Sequence, residues 1–263
     1  MRTLRRVSIG LGLAFLAVVV ALGLSVSVDR WWTRDRVEAL TNIALAGPTG
    51  PLRAHLARPS EGAGPWPLVV MIHEFWGLNE ATIGKADLLA TEGYVVIAPD
   101  LMRGRSTSWL PSAIWQTLRT PDERVRSDLD AVLAAFAGHA DVDANRLAVM
   151  GFCFGGRMAL RYALERPDVA VTGVYYGNVS ADVRALQRLG GPVLGVFGAN
   201  DGSIPQSEVA AFEHALAAAG VVHEVHVFDG VGHAFVTGPG GIESDPVQAE
   251  AWRLLVDFLR RHL

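Results

Sequence analysis

Hydrophobic and polar positions divide this chain into one long uncharged run and a series of short alternating segments. From Val7 to Val28 no residue carries a charge. As a helix that run is roughly 33 Å long, enough for a bilayer core of ~30 Å. Short continuous apolar runs follow at Leu68–Ile72, Tyr94–Ala98, Arg146–Met150, Val169–Gly177 and Val193–Gly198. Their length and β-branched content predict strands buried on both faces, as in a parallel sheet. Leu52–Ala57 roughly alternates and predicts an edge strand, and Val221–Phe228 predicts a further one.

Helical spacing of apolar positions falls between these runs. It predicts helices over Glu80–Glu92 (stopped by Gly93), Asp122–Gly138, Arg157–Glu165, Gln206–Ala219 (with Gly220 beyond) and Pro246–Leu263. Residues 103–121 show no clean period and predict a loop or partial lid. Thr33–Gly47 is mixed and predicts a linker. Strands alternating with helices imply βαβ units, hence an α/β fold with a mostly parallel sheet flanked by helices. The organisation expected is an N-terminal hydrophobic segment at 1–30, a linker at 31–48 and one α/β domain at 49–263.

Charge sharpens the N-terminal segment. Arg2, Arg5 and Arg6 precede it, whereas Asp29, Arg30, Arg34, Asp35, Arg36 and Glu38 beyond it cancel. The positive-inside rule puts Met1 in the cytoplasm and the domain outside, with Trp31 and Trp32 at the interface. A signal peptide has a shorter apolar region, ~7–15 residues, and small residues at its cleavage site. Leu24-Ser25-Val26-Ser27 fits that poorly, so an uncleaved anchor through residues 7–28 is preferred over a cleaved signal that would release the domain. The 263 residues are 50% hydrophobic with net charge −4 and no basic cluster after the first few residues, so no nucleic-acid partner is expected. One cysteine excludes an intrachain disulfide framework and a cysteine-based zinc site, and no ligand spacing suggests a metal.

That cysteine lies in Gly151-Phe152-Cys153-Phe154-Gly155-Gly156, between a predicted strand and a predicted helix. A strand, a Gly-x-nucleophile-x-Gly turn and a helix describe a nucleophile elbow, here bearing a thiol. Asp201 in Asn-Asp-Gly and His233 in Gly-His-Ala-Phe follow, both at strand ends, giving the order nucleophile, acid, histidine. Cys153 would attack, His233 shuttle the proton and Asp201 orient the imidazole. Backbone N–H groups of Phe75 and Phe154 would form an oxyanion hole. Read alone, a cysteine is most often a small buried hydrophobe and Asn-Asp-Gly an ordinary turn. Their order and strand-end positions favour the catalytic reading. His73 beside this group would be a supporting residue.

From about Leu52 onward the chain resembles the dienelactone hydrolase family, a branch of the α/β-hydrolases with a Cys-Asp-His triad. The resemblance rests on His-Glu-Phe-Trp-Gly-Leu-Asn at 73–79, Ala-Pro-Asp-Leu at 98–101 and the Cys153 motif. Tyr-Tyr-Gly at 175–177, Asn-Asp-Gly at 200–202 and Gly-His-Ala-Phe at 232–235 complete it. It implies a single α/β-hydrolase domain without a large cap. It implies a cofactor-independent hydrolase of a small ester or lactone, acting through an acyl-enzyme, and a monomer is expected. It also implies that Glu74 takes part in activating the thiol and that Tyr176, Trp76, Arg103 and Arg105 contact substrate. Family members that open dienelactone use arginines to hold its carboxylate. Here Arg103 and Arg105 stand near one such place, out of clean register, and the other reads Val236-Thr237-Gly238. Ester or lactone hydrolysis in general is therefore expected rather than dienelactone itself. A carboxylesterase or thioesterase without lactone preference, or a non-catalytic binding protein on the same scaffold, remain the alternatives.

Overall fold

A computed structural model describes residues 2–263, with side chains from Phe15 onward. The side chains of Arg2, Arg5 and Arg6 and of residues 7–14 of the uncharged run lie outside the described residues. In chain order the elements are α1 (Arg2–Trp32), α2 (Arg36–Leu40), β1 (Ile43–Gly47), β2 (Gly50–Ala57), β3 (Trp66–Ile72), α3 (Glu80–Ala90), β4 (Val95–Pro99), α4 (Leu110–Leu118) and α5 (Asp122–Phe136). There follow β5 (Val142–Phe152), α6 (Phe154–Ala163), β6 (Val171–Tyr175), α7 (Val183–Leu186), β7 (Val193–Gly198), α8 (Gln206–Ala219), β8 (His223–Phe228), α9 (Pro239–Ser244) and α10 (Pro246–His262).

The strands form one eight-stranded sheet in the order β1-β2-β4-β3-β5-β6-β7-β8. β3 through β8 run parallel, while β1 with β2 and β2 with β4 pair antiparallel. The central strands bury nearly every side chain because helices cover both faces. One apolar layer packs α3, α8 and α10 on the sheet through residues such as Leu89, Phe212 and Leu255. The other packs α5 and α6 through Leu129, Val132 and Met158. This is the α/β-hydrolase architecture expected from the sequence.

Three segments differ from expectation. The presumed linker folds in part: β1 pairs with β2 through Ile43↔Ala54, and the Asn42 amide grips both backbone groups of Leu56. β1 is the edge and β2 lies one strand in. Its alternation is muted by small residues, since Ala44 and Ala46 occupy the outward positions. The expected loop at 103–121 contains α4, a nine-residue helix whose apolar residues face outward. Two short helices, α7 and α9, have too few turns to show a period.

α1 is long and apolar enough over Phe15–Trp32 to cross a membrane. Its described side chains up to Leu24 are exposed. Its end is fastened to the domain, because Thr107 Oγ1 donates to Asp29 Oδ2 at 2.8 Å and Trp109 Nε1 donates to Ser25 Oγ at 3.2 Å.

Candidate active site

The C-terminal ends of β3, β5 and β7, with the loop after β8, deliver the predicted groups to one end of the sheet. Cys153 sits at the turn from β5 to α6 with φ 54° and ψ −112°, a region L residues rarely occupy. Two glycines make this turn possible. A Cβ on Gly155 would lie 2.2 Å from Ile72 O, and one on Gly151 would lie 2.4 Å from the Gly155 carbonyl carbon. The helix thereby enters directly against β3 with the thiol at its N-terminus, where the dipole favours an anion. The Phe154 amide opens α6 and the Phe75 amide follows β3. Neither has a hydrogen-bond acceptor among the described residues, so both are available to an oxyanion.

His233 Nδ1 bonds Asp201 Oδ2 at 2.6 Å. Asp201 is buried, and its other oxygen accepts from the Ser203 amide at 2.8 Å and the Ser203 hydroxyl at 2.6 Å. Burial alone would raise its pKa; the bonds from Ser203 and His233 outweigh that and hold the carboxyl below its ordinary value. His233 is pushed up to about 9. Hydrogen-bonding contact with Cys153 is the main cause, and Asp201 adds to it against desolvation. The imidazole therefore stands between sulfur and carboxylate and is stabilised in its charged form. Ser203, whose Oγ also lies 3.1 Å from His233 Nδ1, was not singled out by sequence. It is hidden in a turn sequence where serine is common.

Glu74 is half-buried at the end of β3. Desolvation raises its pKa, opposed by Lys85, His233 and the Tyr176 hydroxyl. Tyr176 is buried with φ 38°; its hydroxyl donates to Val236 O at 3.3 Å, and its ring stands edge-on to His233 at 5.4 Å. Glu74, Tyr176, His233 and Cys153 thus form one group. Lys85 joins them unannounced. It is the only lysine in the chain and is fully buried. Its Nζ donates to Val236 O at 3.2 Å and lies 3.6 Å from the centre of the Phe152 ring. Burial lowers its pKa to about 8, with Glu74 supporting the charge. A helix position at i+11 from Glu74 carries no sequence signal of this proximity; a lone lysine among arginines was the available clue.

His73 supports the same loop. Its Nε2 accepts from the Leu101 amide at 3.2 Å, so Nδ1 carries the proton and donates to Glu74 O at 2.7 Å. Burial lowers its pKa to about 4 and keeps the ring neutral. The Glu74 carbonyl also accepts from the Gly77 amide, which fixes the turn that carries the Phe75 amide.

The expected substrate contacts divide. Trp76 packs against Phe75 with ring centres 4.4 Å apart and borders a shallow depression of about 410 Å3 with Asn79, Thr107 and Ser108. Arg103 is not brought to the site. Its guanidinium is held by Asp128, the Gly50 and Pro51 carbonyls and Thr49 Oγ1. Arg105 faces the crevice between α1 and α4 with Asp29, Arg30 and Trp115. Among the described residues, no group of three His, Cys, Asp or Glu side chains could hold a metal ion.

A sheet of this order with an elbow thiol, a carboxylate and a histidine at its C-terminal end defines an α/β-hydrolase. More narrowly, the chain belongs to the dienelactone hydrolase family, whose family model matches residues 52–263. It is similar to the Escherichia coli protein named "Putative carboxymethylenebutenolidase", with 34% identity over 240 residues covering 86% of this chain and 88% of the relative. A protein of the same name from Methylorubrum extorquens is 30% identical over 268 residues, covering 94% and 91%. Among solved structures, one titled a putative dienelactone hydrolase from Klebsiella pneumoniae superposes with TM-score 0.74 at 29% identity, covering 83% of this chain and 97% of the other. The protein is accordingly an ester or lactone hydrolase.

Proposed function

We propose that Cys153 is the nucleophile of a hydrolase that attacks the carbonyl of an uncharged ester or lactone. The observation that carries this is the 2.6 Å bond of His233 Nδ1 to Asp201 Oδ2, which leaves Nε2 to serve the Cys153 thiol held at the elbow. The imidazolium favours the thiolate, and attack gives a tetrahedral oxyanion received by the Phe75 and Phe154 amides. His233 then gives its proton to the leaving oxygen, leaving a thioester on Cys153. It next draws a proton from water, which attacks that thioester, and the thiolate returns. Glu74 holds a second negative charge beside the thiol when ionised, with Lys85 opposing its neutralisation.

The commitments of two cations, Arg103 and Lys85, support the preference for uncharged substrates. Arg103 is consumed by Asp128, and Lys85 is buried on Val236 O, the stretch where dienelactone-opening members have an arginine. As for location, we read α1 as a retained anchor that keeps the domain on the non-cytoplasmic side. This is supported by its exposed apolar surface and by the hydrogen bonds that fasten its end to the domain.

The direct test is Cys153→Ala. Turnover of a short p-nitrophenyl ester is expected to fall at least about 1000-fold, the scale on which loss of a triad member acts, with an unchanged circular dichroism spectrum. Retained turnover would remove the thiol from the mechanism.

A further inference from the structure

α4 is built inside out. Leu110, Ile114 and Leu118 repeat at i, i+4 and i+8 and all face outward, joined by Trp109 and Trp115. Leu118 is 77% exposed. The side turned toward the protein carries Ser112, Ala113 and Gln116, all buried. A helix on a water-facing surface has the opposite arrangement, with its apolar stripe toward the core. An outward apolar face of this size marks a surface that meets something other than water.

The position of α4 says what that is. Trp109 is bonded to Ser25 and Thr107 to Asp29, both within the last two turns of α1. At 1.5 Å per residue, Ser25 lies roughly 10 Å below the end of α1 at Trp32. Helices that lie in a membrane interface bury their apolar face by ~5–10 Å. If α1 crosses a bilayer, α4 therefore begins at the depth of the boundary between headgroups and acyl chains. The flanking chemistry matches: Trp31, Trp32, Trp109 and Trp115 are exposed, and the Arg119 guanidinium sits 5.2 Å from the centre of the Trp115 ring. Arg105 lies close enough to Arg30 and to Arg119 to feel the charge of each, a setting suited to lipid phosphates.

We propose that α4 docks in the lipid interface beside α1, so that the domain lies flat on the bilayer through a second, non-spanning contact. This rests on α1 being a retained span. A soluble partner fits less well, since it would have to reach α4 at the level of the span itself. The contact bears on the candidate site, because Gln116 Nε2 donates to Phe75 O at 2.6 Å and the Thr107 amide donates to Trp76 O at 2.9 Å. Lipid contact on α4 would thus be transmitted to the loop that carries the Phe75 amide.

The test uses the full chain in vesicles of phosphatidylcholine and phosphatidylglycerol, with Cys153→Ala to leave one labelling site. Spin labels are placed singly at Leu118→Cys, at Phe15→Cys within α1 and at Val222→Cys, before β8 at the opposite end of the parallel strands. Power-saturation EPR is expected to show higher accessibility to oxygen than to an aqueous nickel complex at 15 and 118, and the reverse at 222. An aqueous label at 118 with a lipid-buried label at 15 would overturn the docking and leave the anchor standing. Aqueous labels at both positions would overturn the anchor and the docking together. Dipolar broadening at 118 that disappears on dilution with unlabelled chain would instead assign the face to a second copy.

Discussion

At the scale of residues, two ionisable side chains make distinct predictions. His233 owes its elevation to about 9 chiefly to the Cys153 sulfur. In Cys153→Ala its imidazole should titrate at lower pH, which NMR of the ring protons would measure; an unchanged midpoint would mean that the sulfur is not its partner. The sign for stability follows from the raised value. The His233 contribution is complete below its ordinary 6.5 and is lost as pH rises through about 9. Lys85 behaves in the opposite direction, since its value falls from 10.5 to about 8 because burial disfavours the charge. Between these values the unfolded chain binds a proton that the native chain does not. Stability should therefore increase with pH across that window, by roughly 3 kcal/mol if the full shift is expressed. In Lys85→Met that increase should vanish in urea titrations. With its cation gone, Glu74 should titrate higher, moving the acidic limb of the pH–rate profile upward.

At the scale of elements, the turn from β5 to α6 is held by exclusion of side chains rather than by a particular bond. Gly155→Ala places a methyl 2.2 Å from Ile72 O, a backbone atom that cannot swing aside. The cost should reach or exceed the ~1–3 kcal/mol of overpacking, read as a lower urea midpoint, with activity lost through displacement of Cys153. The glycine spacing made this turn legible in sequence, as Gly220 after α8 marks a helix end by known capping chemistry. α4 was missed for a different reason: its helical repeat, Leu110, Ile114 and Leu118, lies in a helix of only nine residues, shorter than the window in which periodicity reads clearly. β1 was missed because its register is supplied by β2, its neighbour across the Pro48-Thr49 turn, rather than by alternation of its own.

At the scale of the whole molecule, Arg103 illustrates how a residue near a family motif can serve architecture. It ties the β1–β2 turn to α5 through Asp128, whose side chain is fully buried. Arg103→Ala should cost about 3–5 kcal/mol by leaving that carboxylate unpaired. It should leave unchanged the ratio of KM for an anionic and a neutral ester of equal size. A selective rise for the anionic ester would return Arg103 to the substrate. By itself the sequence determined the sheet class, the elbow and the order Cys153, Asp201, His233, because these depend on local periodicity and on glycines with a local steric task. Only the tertiary structure decided which distant groups share the site. Lys85 and Ser203 meet the candidate site through helix and strand packing, and Arg103 is drawn away by Asp128. A side chain's charge is visible in the sequence, but its burial and its partner are set by elements far along the chain.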